Sequence, residues 1–219
     1  MSASLPYTHL LWDFNGTILD DVSACMQAAN LLLQSHGLSP IETPERYRDL
    51  FGFPVEDYYR RLGFDFEKTP YADLASEWMP EYLKNAEHCS AYPDIPFCLS
   101  ALQKRGIHQW ILSATEQSIL RRQVSALGLL SFFDGLLGLG DIHAKSKTEL
   151  GIRWRQAHPK GRVLMLGDTD HDAETAHAIG ADCVLLSCGH QARAFLEPCP
   201  CLFVADSVTE ALRGVGLIP

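Results

Sequence analysis

The chain has 219 residues, of which 47% are hydrophobic and 21% are charged. This length suits one large domain or a core with a small insert, and the composition is ordinary for a globular protein. A net charge of −9 argues against a nucleic-acid surface and gives no reason to expect attraction to a membrane. No apolar run approaches the ~20 residues of a membrane span, and the first residues lack the features of a signal peptide. We therefore expect a cytoplasmic protein, monomer or homodimer, with no nucleic-acid or membrane partner.

The first predicted element is a short buried strand at 10–12, which ends abruptly at Asp13. Either Asp20 or Asp21 can cap the helix that follows, and Gly37 ends it. The sequence therefore begins with a strand, an acidic turn and a helix.

Residues 21–89 otherwise predict only helices. Thr43-Pro44 is typical of a helix start, and a second short helix is expected from Pro54 to Gly63. Thr69-Pro70 begins a longer helix that Pro80 should kink or split. This block contains no convincing strand.

Helices and strands alternate in the remainder of the chain. The predicted helices lie at 96–105, 116–127, 147–157 and 172–178, before a last one capped by Ser207 and Glu210. The predicted strands lie at 109–113, 135–138, 163–167, 183–186 and 202–204. Such alternation implies right-handed crossovers and a mostly parallel sheet. We predict an α/β protein with a Rossmann-like catalytic core, residues 1–20 and 90–219, and an inserted all-helical cap, residues 21–89.

The predicted end of the first strand carries groups suited to chemistry. In an open α/β sheet, ligands bind at the carboxyl ends of the strands, so Asp13 would stand in the ligand crevice. An aspartate can attack an electrophile and form a covalent intermediate. Gly16 allows close approach of the backbone, whose N–H groups can hold phosphate oxygens. Alone, this stretch is equally consistent with an ordinary turn.

Three later stretches carry further candidate groups. Ser113 ends a buried strand, and Lys147 lies at a helix start, where a cation is favourable if an anion must be met. Residues 168–172 contain three acids just after a buried strand, and Mg²⁺ is the cation that such oxygen ligands suit. Taken one at a time, a turn serine, a solvated lysine or an acidic helix cap would explain each.

The stretch Asp13-Phe14-Asn15-Gly16-Thr17 resembles the first motif of the haloacid dehalogenase superfamily, usually written Asp-x-Asp-Gly-Thr. Ser113, then Lys147, then Asp168 with Asp172 follow in the superfamily's order. With an all-helical insert after the first motif, the chain resembles the phosphoglycolate phosphatase and beta-phosphoglucomutase branch. The resemblance covers nearly the whole chain.

The resemblance implies a Mg²⁺-dependent phosphatase that acts on a small phosphorylated metabolite. Asp13 would be the nucleophile and a metal ligand, together with the backbone carbonyl of Asn15. Asp168 would bind the metal, and Asp172 would bind it or orient a ligand water. The residues expected to hold the phosphoryl group are Phe14, Asn15, Ser113, Ala114 and Lys147. Lys145 is the alternative for the lysine role.

Asn15 departs from the superfamily pattern, in which an Asp at this position exchanges protons. An amide has no proton to exchange at neutral pH, and general acid–base catalysis is worth ~10²–10⁴-fold. Three interpretations follow: a slow phosphatase with an atypical acid/base step, other superfamily chemistry such as dehalogenation, or a phosphate- and metal-binding regulatory module. Dehalogenation needs no Mg²⁺, which the retained acids disfavour, and residues 48–56 lack the lysine of carbon–phosphorus hydrolases.

The cap is expected to determine specificity. Four cap arginines could reach an acidic substrate, although solvated helix faces explain them better. They are Arg46, Arg48, Arg60 and Arg61. Among the histidines, His171 is predicted to lie closest to the site.

Overall fold

The computed structural model describes residues 6–140 and 146–219. Within them, the strands are β1 (His9–Trp12), β2 (His108–Glu116), β3 (Gly135–Leu139), β4 (Val163–Gly167), β5 (Asp182–Leu186) and β6 (Phe203–Ala205). In this part of the chain they form one six-stranded sheet in the order β3-β2-β1-β4-β5-β6, and every neighbouring pair is parallel. The carboxyl end of β1 therefore lies in the middle of one edge of the sheet.

The first helices follow β1 without an intervening strand. They are α1 (Val22–Ser35), α2 (Pro44–Leu50), α3 (Val55–Arg61) and α4 (Tyr71–Ala86). The later helices are α5 (Ile95–Lys104), α6 (Gln117–Ala126), α7 (Lys147–Ala157), α8 (Asp170–Ala178), α9 (Arg193–Leu196) and α10 (Val208–Gly214), with a 3₁₀ turn at Leu130–Phe132. None of the described helices is long and apolar enough to cross a bilayer.

Hydrophobic clusters cover both faces of the sheet. Leu10 and Trp12 of β1 belong to one cluster, whereas Leu11 between them belongs to the cluster on the opposite face. Successive side chains of a strand point to opposite faces, so a strand buried on both sides consists of consecutive apolar residues. This explains why β1, β4 and β5 are recognisable in the sequence as short apolar runs.

The helices α1 to α4 share a separate hydrophobic cluster, in which Val22, Leu33, Tyr47, Leu74 and Tyr82 are buried. The predicted α/β class, the mostly parallel sheet and the helical block after the first strand are confirmed. The division into a core and a cap at residues 21 and 89 stays a prediction.

Pro80 does not split its helix, since α4 runs from Tyr71 to Ala86 with Pro80 inside it. A helical proline leaves one carbonyl of the preceding turn without its donor. Because Pro80 lies on the exposed side of α4, water can reach that carbonyl. Of the two outcomes predicted for Pro80, a kink or a split, the split was therefore wrong.

Helix starts were predicted well where a hydroxyl caps the first turn. The side-chain oxygens of Thr43, Ser146 and Ser207 each accept a hydrogen bond from the backbone N–H three residues later. Other boundaries moved: β2 extends to Glu116, and α8 begins at Asp170 rather than Asp172.

Candidate active site

A cavity of about 570 Å³ lies between the carboxyl ends of the central strands and the helices α1 to α4. Most of the predicted site residues line it: Asp13, Asn15, Ser113, Ala114, Lys147, Asp168 and Asp172. Phe14 is the exception, because its side chain is fully buried in the core and only its backbone can face a ligand. Lys145 lies outside the described residues.

Strand register brings the predicted groups to one edge. Asp13 directly follows β1 and donates its backbone N–H to the Leu166 carbonyl of β4 at 2.8 Å. Ser113 lies on β2 and Asp168 directly follows β4, the two strands that flank β1. Three neighbouring parallel strands therefore deliver a carboxylate, a hydroxyl and a second carboxylate to the same place.

Lys147, the first residue of α7, is buried and contacts two carboxylates. Its Nζ donates to Oδ1 of Asp13 and to Oδ1 of Asp172, the latter at 2.5 Å. The sequence analysis predicted that a cation at this helix start would contact an anion, and Lys147 contacts two carboxylates. Burial raises the pKa of Asp13 to about 6, although Lys147 opposes the rise. Asp13 is therefore ionised at neutral pH.

Asp172 is held as a carboxylate. Burial opposes its ionisation, but the Lys147 ammonium and hydrogen bonds from Thr169 hold its pKa below the ordinary value. Its Oδ2 accepts from the backbone N–H groups of Asp168 and Thr169, and from the Thr169 hydroxyl at 2.7 Å. These contacts fix the orientation in which Oδ1 meets Lys147.

Asp168 is fully buried, and two hydrogen bonds hold its carboxylate. Its carboxylate accepts from the His190 backbone N–H at 2.7 Å and from the Thr17 hydroxyl at 3.3 Å. Burial raises its pKa well above the ordinary value, and the nearby acids Asp13 and Asp172 raise it further. A cation bound nearby would stabilise the ionised form of such an acid.

The geometry of these acids suits a divalent cation. One carboxylate oxygen from each of Asp13, Asp168 and Asp172 lies within 4.8 Å of the others, and all three residues are buried. Oxygen donors in a small rigid cluster are the set that hard cations prefer. These residues could hold such an ion.

Gly16 is required where it stands. Its φ is 70°, and a Cβ there would overlap the Asp168 carboxylate and the His190 ring. Both the left-handed backbone and the close packing exclude a side chain at this position.

Asn15 is held by three hydrogen bonds. Its Nδ2 donates to Oδ2 of Asp21 at 2.7 Å and to the Tyr82 hydroxyl at 2.6 Å. Its Oδ1 accepts from the Thr115 hydroxyl at 2.7 Å. The amide thus connects the turn after β1 with β2 and α4, and its two donated bonds need a donor that a carboxylate lacks, whereas the bond accepted from Thr115 would suit either group.

The sequence analysis missed the partners of Asn15. Asp21 precedes α1, where it was expected to cap the helix, but its side chain makes no capping bond. It accepts instead from the Gly16 N–H at 2.9 Å, from the Tyr82 hydroxyl at 2.8 Å and from Nε2 of His190 at 3.2 Å. The expectation of a capping role was wrong because these donors lie in the site.

His190 is the buried histidine of this site. Burial would lower its pKa, but the Asp21 carboxylate outweighs that effect and raises the pKa to about 9. Its Nδ1 lies 3.0 Å from the Tyr47 hydroxyl of α2. His171, predicted to be the histidine closest to the site, lines the cavity beside Phe53 and lies 3.5 Å from Glu174.

The model of the haloacid dehalogenase-like hydrolase family matches residues 10–186. The chain belongs to this family. The phosphoglycolate phosphatase of Nitrosospira multiformis is 27% identical to this hydrolase over 97% of each chain. That of Neisseria gonorrhoeae is 25% identical and covers 100% of this chain and 94% of its own. The predicted superfamily and the prediction of a hydrolytic enzyme are confirmed.

Solved structures of the same fold cover nearly the whole hydrolase. A haloacid dehalogenase-like family hydrolase from Streptococcus pneumoniae superimposes with a TM-score of 0.81, at 19% identity, over 94% of this chain and 97% of its own. CbbY from Rhodobacter sphaeroides, solved in complex with phosphate, gives 0.69 at 20% identity over 95% and 99%. At these identities the likeness concerns the fold.

Proposed function

We propose that this hydrolase is a Mg²⁺-dependent phosphatase that hydrolyses a small phosphorylated metabolite through an aspartyl-phosphate on Asp13. The contact of the Lys147 ammonium with Asp13 and Asp172, beside Asp168, carries the proposal. It combines an ionised nucleophile with a fixed positive charge where a phosphoryl group would sit. The phosphatase relatives, matched over almost their full lengths, support the same reaction class.

The chemistry proposed for the chain has two displacements. In the first, a carboxylate oxygen of Asp13 attacks phosphorus, an acyl phosphate forms, and the bond to the leaving alcohol oxygen breaks. In the second, water attacks the same phosphorus, the bond between phosphorus and the Asp13 oxygen breaks, and phosphate leaves with the proton of the water while the Asp13 carboxylate is regenerated. Lys147 and the Ser113 hydroxyl would hold the phosphoryl oxygens, because phosphoryl transfer depends on alignment and on neutralising the equatorial oxygens.

The cation would be held by Asp13, Asp168 and the backbone carbonyl of Asn15. Asp172 would bind the cation directly or orient a water molecule that does. When bound, Mg²⁺ supplies charge neutralisation for the phosphoryl oxygens. The buried cluster of three carboxylates supports this assignment. Location in the cytoplasm and a monomeric or homodimeric state stay predictions.

Asn15 makes the acid/base step atypical. The amide can donate hydrogen bonds but cannot give a proton to the leaving oxygen. Without that proton transfer we expect the rate to depend steeply on the leaving group, since a stable anion needs little protonation. The natural substrate would then be cleaved slowly or carry a good leaving group.

A phosphate- and metal-binding module with little turnover is the second candidate. The observation that favours it is that Asn15 makes three hydrogen bonds to protein groups, as a residue with a structural role does. The two candidates differ in whether phosphate is released more than once per molecule.

The deciding experiment is phosphate release from para-nitrophenyl phosphate, with and without Mg²⁺. We expect multiple turnovers with Mg²⁺ and a loss of at least ~10³-fold in Asp13→Asn, which removes the nucleophile. Asp170→Asn is the matched control, because Asp170 lies between Asp168 and Asp172 in the chain but bonds to Gln191 and does not line the cavity.

Two results would contradict the phosphatase. One is a wild-type protein that releases no phosphate and accumulates no acid-stable phosphoprotein with Mg²⁺. The other is equal turnover in Asp13→Asn and wild type, which would place the nucleophile elsewhere. A single burst of one para-nitrophenolate per molecule, with the phosphoryl group retained on Asp13 and no phosphate released, would support the binding module.

A further inference from the structure

The cavity continues well beyond the phosphate end. Its volume of about 570 Å³ lies within the ~300–1,000 Å³ of pockets that enclose a drug-sized ligand. The wall opposite the acids comes from the cap helices and is largely aromatic. The rings concerned are Phe51, Phe53, Tyr58, Tyr59, Tyr71 and Trp78.

Five of these rings are in continuous contact, from Phe53 through Phe51 to Tyr71, and Trp78 lines the same cavity beside Tyr82. Phe51 lies 5.3 Å from Tyr58, Tyr58 lies 5.7 Å from Tyr59, and Tyr59 lies 5.4 Å from Tyr71, between ring centroids. Each pair meets edge to face, the geometry that aromatic rings favour. The wall is therefore packed and stable before any ligand binds.

Part of the aromatic wall remains open to a ligand. Phe53 is 39% exposed, and Trp78 is half-buried although its indole stacks on Tyr82 at 4.8 Å. Met79 beside Trp78 is 44% exposed and also lines the cavity. Large apolar side chains exposed together in a pocket indicate a site for an apolar group.

The cavity has few cationic side chains that could pair with a substrate whose alcohol part carries a negative charge. Of the described residues that line it, Lys147 is the only lysine or arginine, and Asp13 and Asp172 already hold it. Of the two lining histidines, His190 pairs with Asp21 and His171 faces Glu174.

Three of the four cap arginines considered from sequence are held by other groups, and none of the four lines the cavity. Arg48 donates to the carbonyls of Cys188 and Gly189, and Arg61 donates to the carbonyl of Leu50. Arg60 donates to the Asp57 carboxylate at 2.6 Å. A substrate carboxylate would thus lie among acids and rings.

We propose that the phosphomonoester accepted here carries an uncharged aromatic ring on its alcohol side, and that the ring packs against Phe53 and Trp78. This deepens the proposed phosphatase function and rests on it. It also separates this chain from its curated relatives, whose name refers to a small carboxylate-bearing phosphoester.

The test compares three non-hydrolysable ligands by calorimetry in the presence of Mg²⁺. Benzylphosphonate carries an uncharged ring, and phosphonoacetate carries a carboxylate of the phosphoglycolate type. We expect benzylphosphonate to bind at least ~10-fold more tightly, because ring burial adds favourable contact and no charge is left unpaired. Cyclohexylmethylphosphonate, of similar size, should bind several-fold more weakly than benzylphosphonate.

Two variants test whether the ring of the ligand packs against Trp78. Trp78→Leu should weaken benzylphosphonate at least ~5-fold and leave phosphonoacetate unchanged. Phe97→Leu is the matched control, because Phe97 is 58% exposed on α5 and does not line the cavity, and it should change neither affinity.

Equal or tighter binding of phosphonoacetate would overturn the proposal, as would equal binding of the cyclohexyl analogue or no binding of any of the three. Hydrolysis of acetyl phosphate, whose leaving group has no ring, tests the phosphatase separately. Turnover of acetyl phosphate without a preference for benzylphosphonate would leave the phosphatase standing and remove the aromatic substrate.

Discussion

The amide nitrogen of Asn15 lies 2.7 Å from a carboxylate oxygen of Asp21, and both belong to the site. Asn15→Asp would replace this donor by a second acid beside a buried carboxylate. We expect the free energy of unfolding at pH 7 to fall by ~2–4 kcal/mol, measured by urea denaturation, because one buried charge loses a donor and gains a repulsive neighbour.

The exchange variant Asn15→Asp with Asp21→Asn supplies the control. It keeps one amide and one carboxylate at the two positions, so we expect it to be at least ~1 kcal/mol more stable than the sum of the single changes predicts. It also places a proton-exchanging group at position 15, and hydrolysis of an alkyl phosphate should rise at least ~10-fold above wild type. If the stability changes of the two single variants simply add up in the double variant, residues 15 and 21 are not energetically coupled and the prediction is wrong.

Removal of the buried ammonium should destabilise the protein strongly. Lys147→Met leaves Asp13 and Asp172 facing each other without a counter-charge, and breaking a buried pair typically costs ~3–5 kcal/mol. The loss should shrink between pH 7 and pH 5, because the pKa of Asp13, about 6 beside Lys147, rises when the ammonium is removed, and protonation of Asp13 then relieves the repulsion. Urea unfolding at pH 7 and pH 5 measures both effects. Lys160→Met, at an exposed position, should change stability by less than ~0.5 kcal/mol.

His190 should make stability depend on pH in the alkaline range. Its pKa in the folded protein is about 9, above the ordinary 6.5, so its contribution is complete below pH 6.5 and is lost as the pH rises through 9. A shift of this size corresponds to on the order of 3 kcal/mol.

Urea unfolding between pH 6.5 and 8.5, with chelator present, measures this slope. His190→Gln should flatten it, whereas His177→Gln at an exposed position should not. The pKa of Asp13 lies lower, near 6, so this group contributes mainly at the acidic end of the range. A slope unchanged in His190→Gln would assign the pH dependence to other groups.

A divalent cation should stabilise the folded chain. Binding to the native state alone adds ~2.7 kcal/mol at a concentration 100-fold above Kd, so Mg²⁺ should raise the melting temperature and chelator should reverse the rise. Asp168→Asn should abolish the increase, since it removes a central oxygen donor. Asp170→Asn should retain it. An equal Mg²⁺ effect in both variants would place the cation outside this cluster.

Much of the fold and the order of the site groups could be predicted from local sequence. Residues 10–12, 163–166 and 183–186, which make up most of β1, β4 and β5, are all apolar because both faces of the sheet are covered. Asp13 and Asp168 stand where two of those strands end. Local signals of this kind need no knowledge of distant residues. The four-residue helix α9 was missed because it is too short to show a helical period.

The network around Asn15 could not be predicted, because its members are far apart in the chain. Asp21 and His190 are separated by 169 positions, and Asn15 and Thr115 by 100. At the sequence level Asp21 has a sufficient local explanation as a helix cap, and nothing marks His190 as its partner. Only the folded arrangement of β1, β2, β5 and the helices α1 to α4 brings them together.

The hydrogen bonding of Asn15 also has an evolutionary consequence. Its amide satisfies Asp21, Tyr82 and Thr115 at once, so a lone change at position 15 leaves several groups mismatched. A descendant regaining an acid at position 15 would pass through a less stable intermediate unless position 21 changed in the same step. Across related sequences we therefore expect residues 15 and 21 to change as a pair, with Asn at one accompanying Asp at the other.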